Sequence, residues 1–347
     1  MTLKTMKELN KRILDIAENL LKIDSPSGMC QMVNTYIEKH FKGKLSLEKT
    51  NKNALYAILK GKDSSKLRIV TAHVDTLGGI VSRVKDNGRL EFENIGGFMY
   101  ASLEGELVRV YTKKGVVSGT VLPNKASVHT MEDEREKTLP RERHSTEIRL
   151  DIVSSSKEET IEHGAAVGDF IAFEPRTRVT EDFLVSRFID NKLHAAIMIY
   201  EIEEVLNNNI ELACDTMFYF TNFEELGHGI SYVPDKAYEV LALDIGIVSY
   251  ENNSAEDKVT IVAKDSRTPY PIDFRDRLEE LAIKKGIDYA IDVHQRYGSD
   301  GSLGAVAGLN LNFACIGVGT DASHHIERTN IKAIENTEKL LRAYLEN

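Results

Sequence analysis

Hydrophobic positions at the start of the chain fall at helical spacing. Leu3, Met6, Leu9, Ile13, Ile16, Ala17, Leu20 and Leu21 recur with Lys, Glu and Asp between them, which marks one apolar helix face. The breakers Asp24-Ser-Pro-Ser-Gly28 end that helix near Ile23. A second helix is predicted over residues 32–41, followed by strands over 53–59 and 67–73. The second of these strands is nearly all apolar or β-branched before it reaches His73, as a buried strand would be. Helices alternating with strands predict an α/β layer architecture.

From about residue 78 to 175 the texture changes. Short strand-like segments over 106–112 and 116–122 are separated by the turn Lys113-Lys-Gly115. Strands so closely spaced, with no helix between them, predict a small β-barrel or sandwich. The stretch 131–147 carries dense charge of both signs and almost no apolar periodicity, which predicts a mobile surface loop. After Asp182 the α/β texture returns, with strands expected over 183–188, 217–223, 240–243 and 288–293. Helices are expected over 191–206, 272–285 and 331–344, the first with Leu193, Ala196, Ile197 and Tyr200 on one side. The predicted fold class is therefore α/β: one discontinuous domain over 1–77 and 176–347, with a β domain inserted over 78–175.

Composition narrows the function. The 347 residues are 28% charged and 42% hydrophobic, enough for a sizeable core without disulfides. Subtracting 54 acidic from 44 basic residues leaves −10, which disfavours a phosphate backbone as partner. Cys30, Cys214 and Cys315 form no CxxC pair, and reduced thiols in a cytoplasmic protein are the expectation. No apolar run approaches the about 18 residues of a spanning helix, and the amphipathic start does not read as a signal peptide, so no membrane partner is expected.

Candidate metal ligands recur where predicted strands end: His73 and Asp75, Asp190, Glu224 and Glu225, Asp244, and His324 with His325. Sites in open α/β sheets form outside the carboxyl ends of strands. Asp190 alone could be a helix N-cap, and paired glutamates are commonly a solvated face. Yet Glu224 and Glu225 follow a run, 217–223, with no charged residue, and Asp244 follows the apolar run 240–243. Several buried carboxylates together are costly unless cations neutralise them. Imidazoles mixed with carboxylates suit zinc, cobalt or manganese better than calcium. With no cysteine nearby a closed structural zinc site is disfavoured, and the ligands outnumber the needs of one tetrahedral ion. Two divalent metal ions sharing a carboxylate fit best, an arrangement that clamps a nucleophilic water.

The strings Ala72-His-Val-Asp-Thr-Leu-Gly78, Phe188-Ile-Asp190-Asn-Lys, Phe223-Glu-Glu-Leu-Gly227 and Leu243-Asp244-Ile-Gly246, with Ser323-His324 near the end, resemble the tetrahedral (glutamyl) aminopeptidases. These are dinuclear metallopeptidases of the zinc exopeptidase superfamily. Ser25-Pro-Ser-Gly28 and the stretch 151–174 are similar to that family too, so the resemblance spans nearly the whole chain. It implies a mixed-sheet zinc-exopeptidase-like catalytic domain that hydrolyses N-terminal residues from peptides. It also implies Asp190 as bridging carboxylate, His73 and Asp244 at one metal, Glu225 and His324 at the other. Glu224 would then be the general base and Asp75 the acid that orients His73. Zinc is the favoured ion, with cobalt or manganese as alternatives. Dimer contacts through the inserted domain, with assembly up to a tetrahedral dodecamer, are implied as well.

Two departures stand out. Lys192 replaces the family's Arg, and Ser323-His324-His325-Ile326-Glu327 replaces His-Ser-Pro-x-Glu, so His324 is favoured over His325 only with a local shift. His194 competes as a ligand against a packing role, His228 against a turn role, and Asp300 against a turn-forming one. A dinuclear deacylase or dipeptidase, or a catalytically silent metal-binding scaffold, are the rival functions. A glycoside hydrolase would leave the histidines without a purpose.

Overall fold

The computed structural model describes residues 3–133, 138 and 140–347. Two compact units divide the chain, Met1–Asp75 with Pro175–Asn347, and Thr76–Glu174.

The first unit is built on a mixed sheet of twelve strands among the described residues. Its centre is parallel: Cys214–Thr221, Asp63–His73, Ala237–Leu243 and Asn312–Asp321 lie side by side in that order. In register, Thr221 is level with His73, Ala242 with Thr71, and Leu243 with Ile316. The carboxyl ends of four neighbouring strands therefore open at one edge, where residues following a strand can converge. Every residue of Cys214–Thr221 is buried, and its apolar run explains why. The strand nevertheless starts three residues before the expected 217, because buried Asp215 is satisfied by Lys60 at 2.7 Å, Ser64 at 2.9 Å and the Gly61 N–H. A charge in sequence reads as a strand boundary, and only the fold supplies its partners.

The helix Ile189–Asn208 departs from its amphipathic expectation. All residues from Ile189 to Glu203 are buried, because it packs on Asp63–His73 and also against the helices Leu3–Leu21 and Ile331–Glu346. A helix covered on all sides has no polar face. Glu203 is buried by partners: Arg12 donates to it at 2.6 Å, and His40 Nε2 lies 2.8 Å away. The preceding strand stops at Ser186, two residues short of expectation, since Phe188 turns left-handed at φ 68°.

Among the described residues, the second unit is a closed antiparallel barrel of six strands. Their order is Gly78–Val84, Leu90–Ile95, Thr146–Leu150, Gly115–Pro123, Leu107–Thr112 and Phe170–Phe173. Phe170–Phe173 pairs with both Gly78–Val84 and Leu107–Thr112, and closure removes the open edges that short strands would otherwise expose. Val81, Phe92, Val108, Val110, Val121, Ile148 and Ile171 fill it. Of the stretch expected to be a loop, residues 134–137 and 139 lie outside the described residues. Its end is not loop: Thr146 and Glu147 are buried in the strand Thr146–Leu150. Glu147 is held there by Lys85 and by Arg89 at 3.2 Å, so a charge that reads as solvated is an interior ion pair.

Candidate metal centre

His73 ends its strand with its ring only 1% exposed, Nδ1 toward the Asp75 carbonyl oxygen at 3.0 Å and Nε2 facing Asp190 Oδ1 at 3.0 Å. The other oxygen of Asp190, Oδ2, faces His324 Nε2 at 3.4 Å. One carboxylate thus stands between two imidazoles. Glu225 Oε2 lies 3.6 Å from His324 Nε2, and Glu224 Oε2 lies 3.6 Å from His73 Nε2. Two sets of ligand atoms fall within 4.8 Å of one another: His73 with Glu224 and Asp244, and His73 with Asp190 and Glu225. His73, Asp190, Glu225, Asp244 and His324, the ligands that the resemblance implies, all lie at this cluster. His325 does not; it is exposed, and its Nδ1 accepts the Ile326 N–H at 2.7 Å.

The backbone around the cluster is unusual in a consistent way. Phe188 and Phe223 both adopt φ 68°, and His324 φ 64°, a region that bulky residues enter only when their surroundings impose it. Phe188 and Phe223 immediately precede Ile189–Asp190 and Glu224. Glu224–Leu226 is a tight 3-10 turn rather than a strand end, so the turn sends the two glutamates to different neighbours.

Asp75 is fully buried and does more than face His73. Its carboxylate lies 3.5 Å from His73 Nδ1, and it accepts the N–H groups of Glu224 at 3.2 Å and Glu225 at 3.4 Å as well as the Ser27 hydroxyl. A second buried acid mirrors it. Glu327 Oε2 accepts the Asp190 N–H and Oε1 the His324 N–H, each at 3.0 Å. In the sequence, Glu327 bears only on the register of the final histidine motif. Its one local signal is the strand Glu327–Asn330, where buried Glu327 alternates with exposed Arg328.

Electrostatically the cluster holds more negative charge than it can support alone. Burial first, then the neighbouring carboxylates, push Glu224 and Asp244 well above the ordinary range. Burial and Asp190 likewise push Glu225 up to about 7. Burial works to raise Asp190 as well, but hydrogen bonds from His324 and His73 bring it below the usual range. Glu225 Oε1 is buried with no hydrogen-bond partner among the described residues. An orphaned carboxylate oxygen among acids at ligand spacing fits a divalent cation, which reverses the penalty on each acid.

The remaining candidates divide. His194 is packed, its Nε2 accepting the Val318 N–H at 3.0 Å, and burial lowers its pKa to about 3. His228 stacks on Phe223 at 5.2 Å and meets Lys52 at 2.9 Å. Asp300 is buried and accepts the Thr221 hydroxyl and the Ile230 N–H at 2.8 Å, tying the strand end to the far side of the Glu224 turn.

Residues 53–340 match the M42 glutamyl aminopeptidase family. The YhfE protein of Bacillus subtilis (strain 168) is 38% identical over 341 residues, covering 97% of this chain and 98% of its own. The fold is that of a TET aminopeptidase from a marine-sediment Thaumarchaeota archaeon, with TM-score 0.87, 21% identity, and coverage of 96% and 97%. The Pyrococcus horikoshii TET1 peptidase, which can assemble into a tetrahedron or a large octahedral shell, gives TM-score 0.82, 21% identity, and coverage of 96% and 99%. On the family match and the YhfE relationship, the chain belongs to the M42 glutamyl aminopeptidases, a family of metal-dependent aminopeptidases.

Proposed function

We propose that the chain removes N-terminal residues from peptides at a dinuclear metal centre. His73 and Asp244 would hold one ion, Glu225 and His324 the other, and Asp190 would bridge them. The observation that carries this reading is the Asp190 carboxylate, whose two oxygens face two different imidazoles at 3.0 and 3.4 Å. Zinc suits this ligand set best, and cobalt or manganese share it. A bound ion of this kind lowers the pKa of water to about 7 and polarises a carbonyl.

The chain's own residues supply the rest. Glu224 Oε2 lies at the His73 side of the cluster, where it would take a proton from the attacking water and deliver it to the leaving amine nitrogen. Asp75 fixes the turn that carries Glu224 and faces His73 Nδ1, the partner that ligating histidines commonly have.

The reading extends to the whole chain as a catalytic domain over 1–77 and 176–347, with the inserted domain, 78–175, mediating dimer contacts. The closed barrel of Thr76–Glu174 and the shells formed by the TET1 peptidase support dimer-based assembly up to a tetrahedral dodecamer. Three buried, unpaired cysteines support a reducing, cytoplasmic setting. No described helix is long and apolar enough to cross a membrane, and the net charge of −10 does not favour nucleic acid.

The test is hydrolysis of a panel of aminoacyl-chromophore substrates, with and without EDTA, followed by zinc, cobalt or manganese. Chelator-sensitive release from free-amine substrates, but not from N-acetylated ones, is expected. Cleavage of only acylated substrates would replace the aminopeptidase with a deacylase. No cleavage by metal-loaded protein would leave the scaffold.

A further inference from the structure

We infer that Glu327 is a positioning residue that sets the distance between the bridging Asp190 and the terminal ligand His324; this rests on the metal-centre reading above. Glu327 is 2% exposed. Its two oxygens are each engaged by a main-chain N–H from a different segment of the chain, Asp190 and His324, both at 3.0 Å. The fold puts it there by register. Glu327–Asn330 runs antiparallel to Phe183–Ser186 with Glu327 opposite Ser186, four residues before Asp190.

Three further facts indicate that the grip on His324 does mechanical work. Ala322 and His324 are both left-handed, at φ 56° and φ 64°, and non-glycine residues hold that conformation only when other contacts impose it. Within the turn itself, the His325 N–H donates to the Ala322 carbonyl at 3.0 Å, which closes the turn without setting where it points. The Glu327–His324 bond ties that turn to Asp190, and His324 Nε2 then comes to 3.4 Å from Asp190 Oδ2. Carboxylate chemistry is required, because both facing groups are N–H donors and only an acceptor at each oxygen satisfies both. Glutamine would oppose one donor with another.

Asp75 and Glu327 thus divide the work. Asp75 holds the Glu224 and Glu225 amides, whereas Glu327 holds those of Asp190 and His324. Neither belongs to the two sets of ligand atoms that lie within 4.8 Å of one another. Each acts through the backbone of residues that carry the candidate ligands and the base.

The experiment compares the parent, Glu327→Gln and Glu327→Asp by metal stoichiometry, by titration with cobalt(II) followed by visible absorption, and by kcat and KM. Arg328→Ala, which breaks an exposed pair with Glu256, serves as a control and should match the parent. Glu327→Gln is expected to weaken metal binding about 10- to 100-fold, shift the cobalt spectrum and lower kcat with little change in KM. Glu327→Asp, which keeps both acceptors on a shorter stem, should recover part of the affinity. Circular dichroism reports folding; if Glu327→Gln does not fold, Glu327→Asp is compared with the parent on the same readouts, and a weakened, spectrally shifted site is expected. A folded Glu327→Gln with parental stoichiometry, spectrum and kcat would overturn the inference while leaving the metal centre intact. A parent that takes up no divalent ion would overturn the metal-centre reading, and this inference with it.

Discussion

The Asp75 carboxylate accepts the backbone N–H of Glu224 at 3.2 Å, so a residue at one strand end holds the turn that follows its neighbour. The two strands are in parallel register with His73 level with Thr221, which places Asp75 and Glu224 across from one another. Resemblance pointed to Asp75 as the acid that orients His73. The carboxylate stands 3.5 Å from that imidazole, and its closer contact is with the Glu224 amide.

Asp75→Asn should therefore disturb both metals' ligands. An amide cannot accept from both Glu224 and Glu225 while also receiving the Ser27 hydroxyl, and buried donors left unpaired cost about 1–3 kcal/mol each. The expected result is a 10- to 100-fold loss of metal affinity, about that of other supporting-residue losses. Ser27→Ala removes one donor from an acid that keeps its others, and should cost about 1 kcal/mol of stability. Metal titration and thermal melting distinguish the two.

Glu224→Gln keeps the size of the side chain but removes its basicity. Turnover should fall about 100- to 10,000-fold, with bound metal unchanged. Steady-state kinetics beside elemental analysis checks this. Parental turnover in the variant would mean that another group moves the proton.

Gly317 packs against the carbonyl of Asp244. A Cβ built there would stand 1.5 Å from that oxygen and 2.5 Å from His194 Nε2. Backbone cannot yield as a side-chain tip does, so Gly317→Ala should destabilise by at least about 1–3 kcal/mol and displace Asp244. Gly97→Ala, with open space around the new methyl, should stay within about 0.5 kcal/mol of the parent. Denaturant unfolding measures both.

Glu203 gives a pH dependence remote from the metal centre. Burial works to raise its pKa, but hydrogen bonds from Arg12 and His40 hold it below the ordinary value of 4.5. A depressed carboxylate contributes stability above its unfolded pKa and loses it as pH falls through the folded value. The parent should thus lose stability below pH 4.5 relative to Glu203→Gln, in which this contribution is absent throughout. Because Arg12 is half exposed, the difference near neutral pH should be only about 1 kcal/mol. Unfolding free energies of both proteins from pH 7 to pH 3 would show the two curves converging in acid.

The sequence by itself determined the alternation of helices and strands at both ends of the chain, because periodicity and strand composition are local properties, but it did not mark the strands Val259–Lys264 and Asn312–Asp321. The helix Ile272–Lys285 has the limits its pattern predicted, and the inserted segment's closely spaced strands announced a barrel or sandwich. It also determined which residue types could gather at strand ends, since acids after apolar runs are conspicuous. Tertiary structure alone decided how those residues meet. That His324, rather than His325, reaches Asp190 depends on a left-handed turn that Glu327 holds through the His324 N–H while its other oxygen accepts the Asp190 N–H, 137 positions away, a pairing that no local pattern encodes. The all-round burial of Ile189–Glu203 and the interior charges of Asp215 and Glu147 were hidden for the same reason. A charged residue is read as exposed until the fold brings its partner, and the cost of burying it is settled only by that pairing.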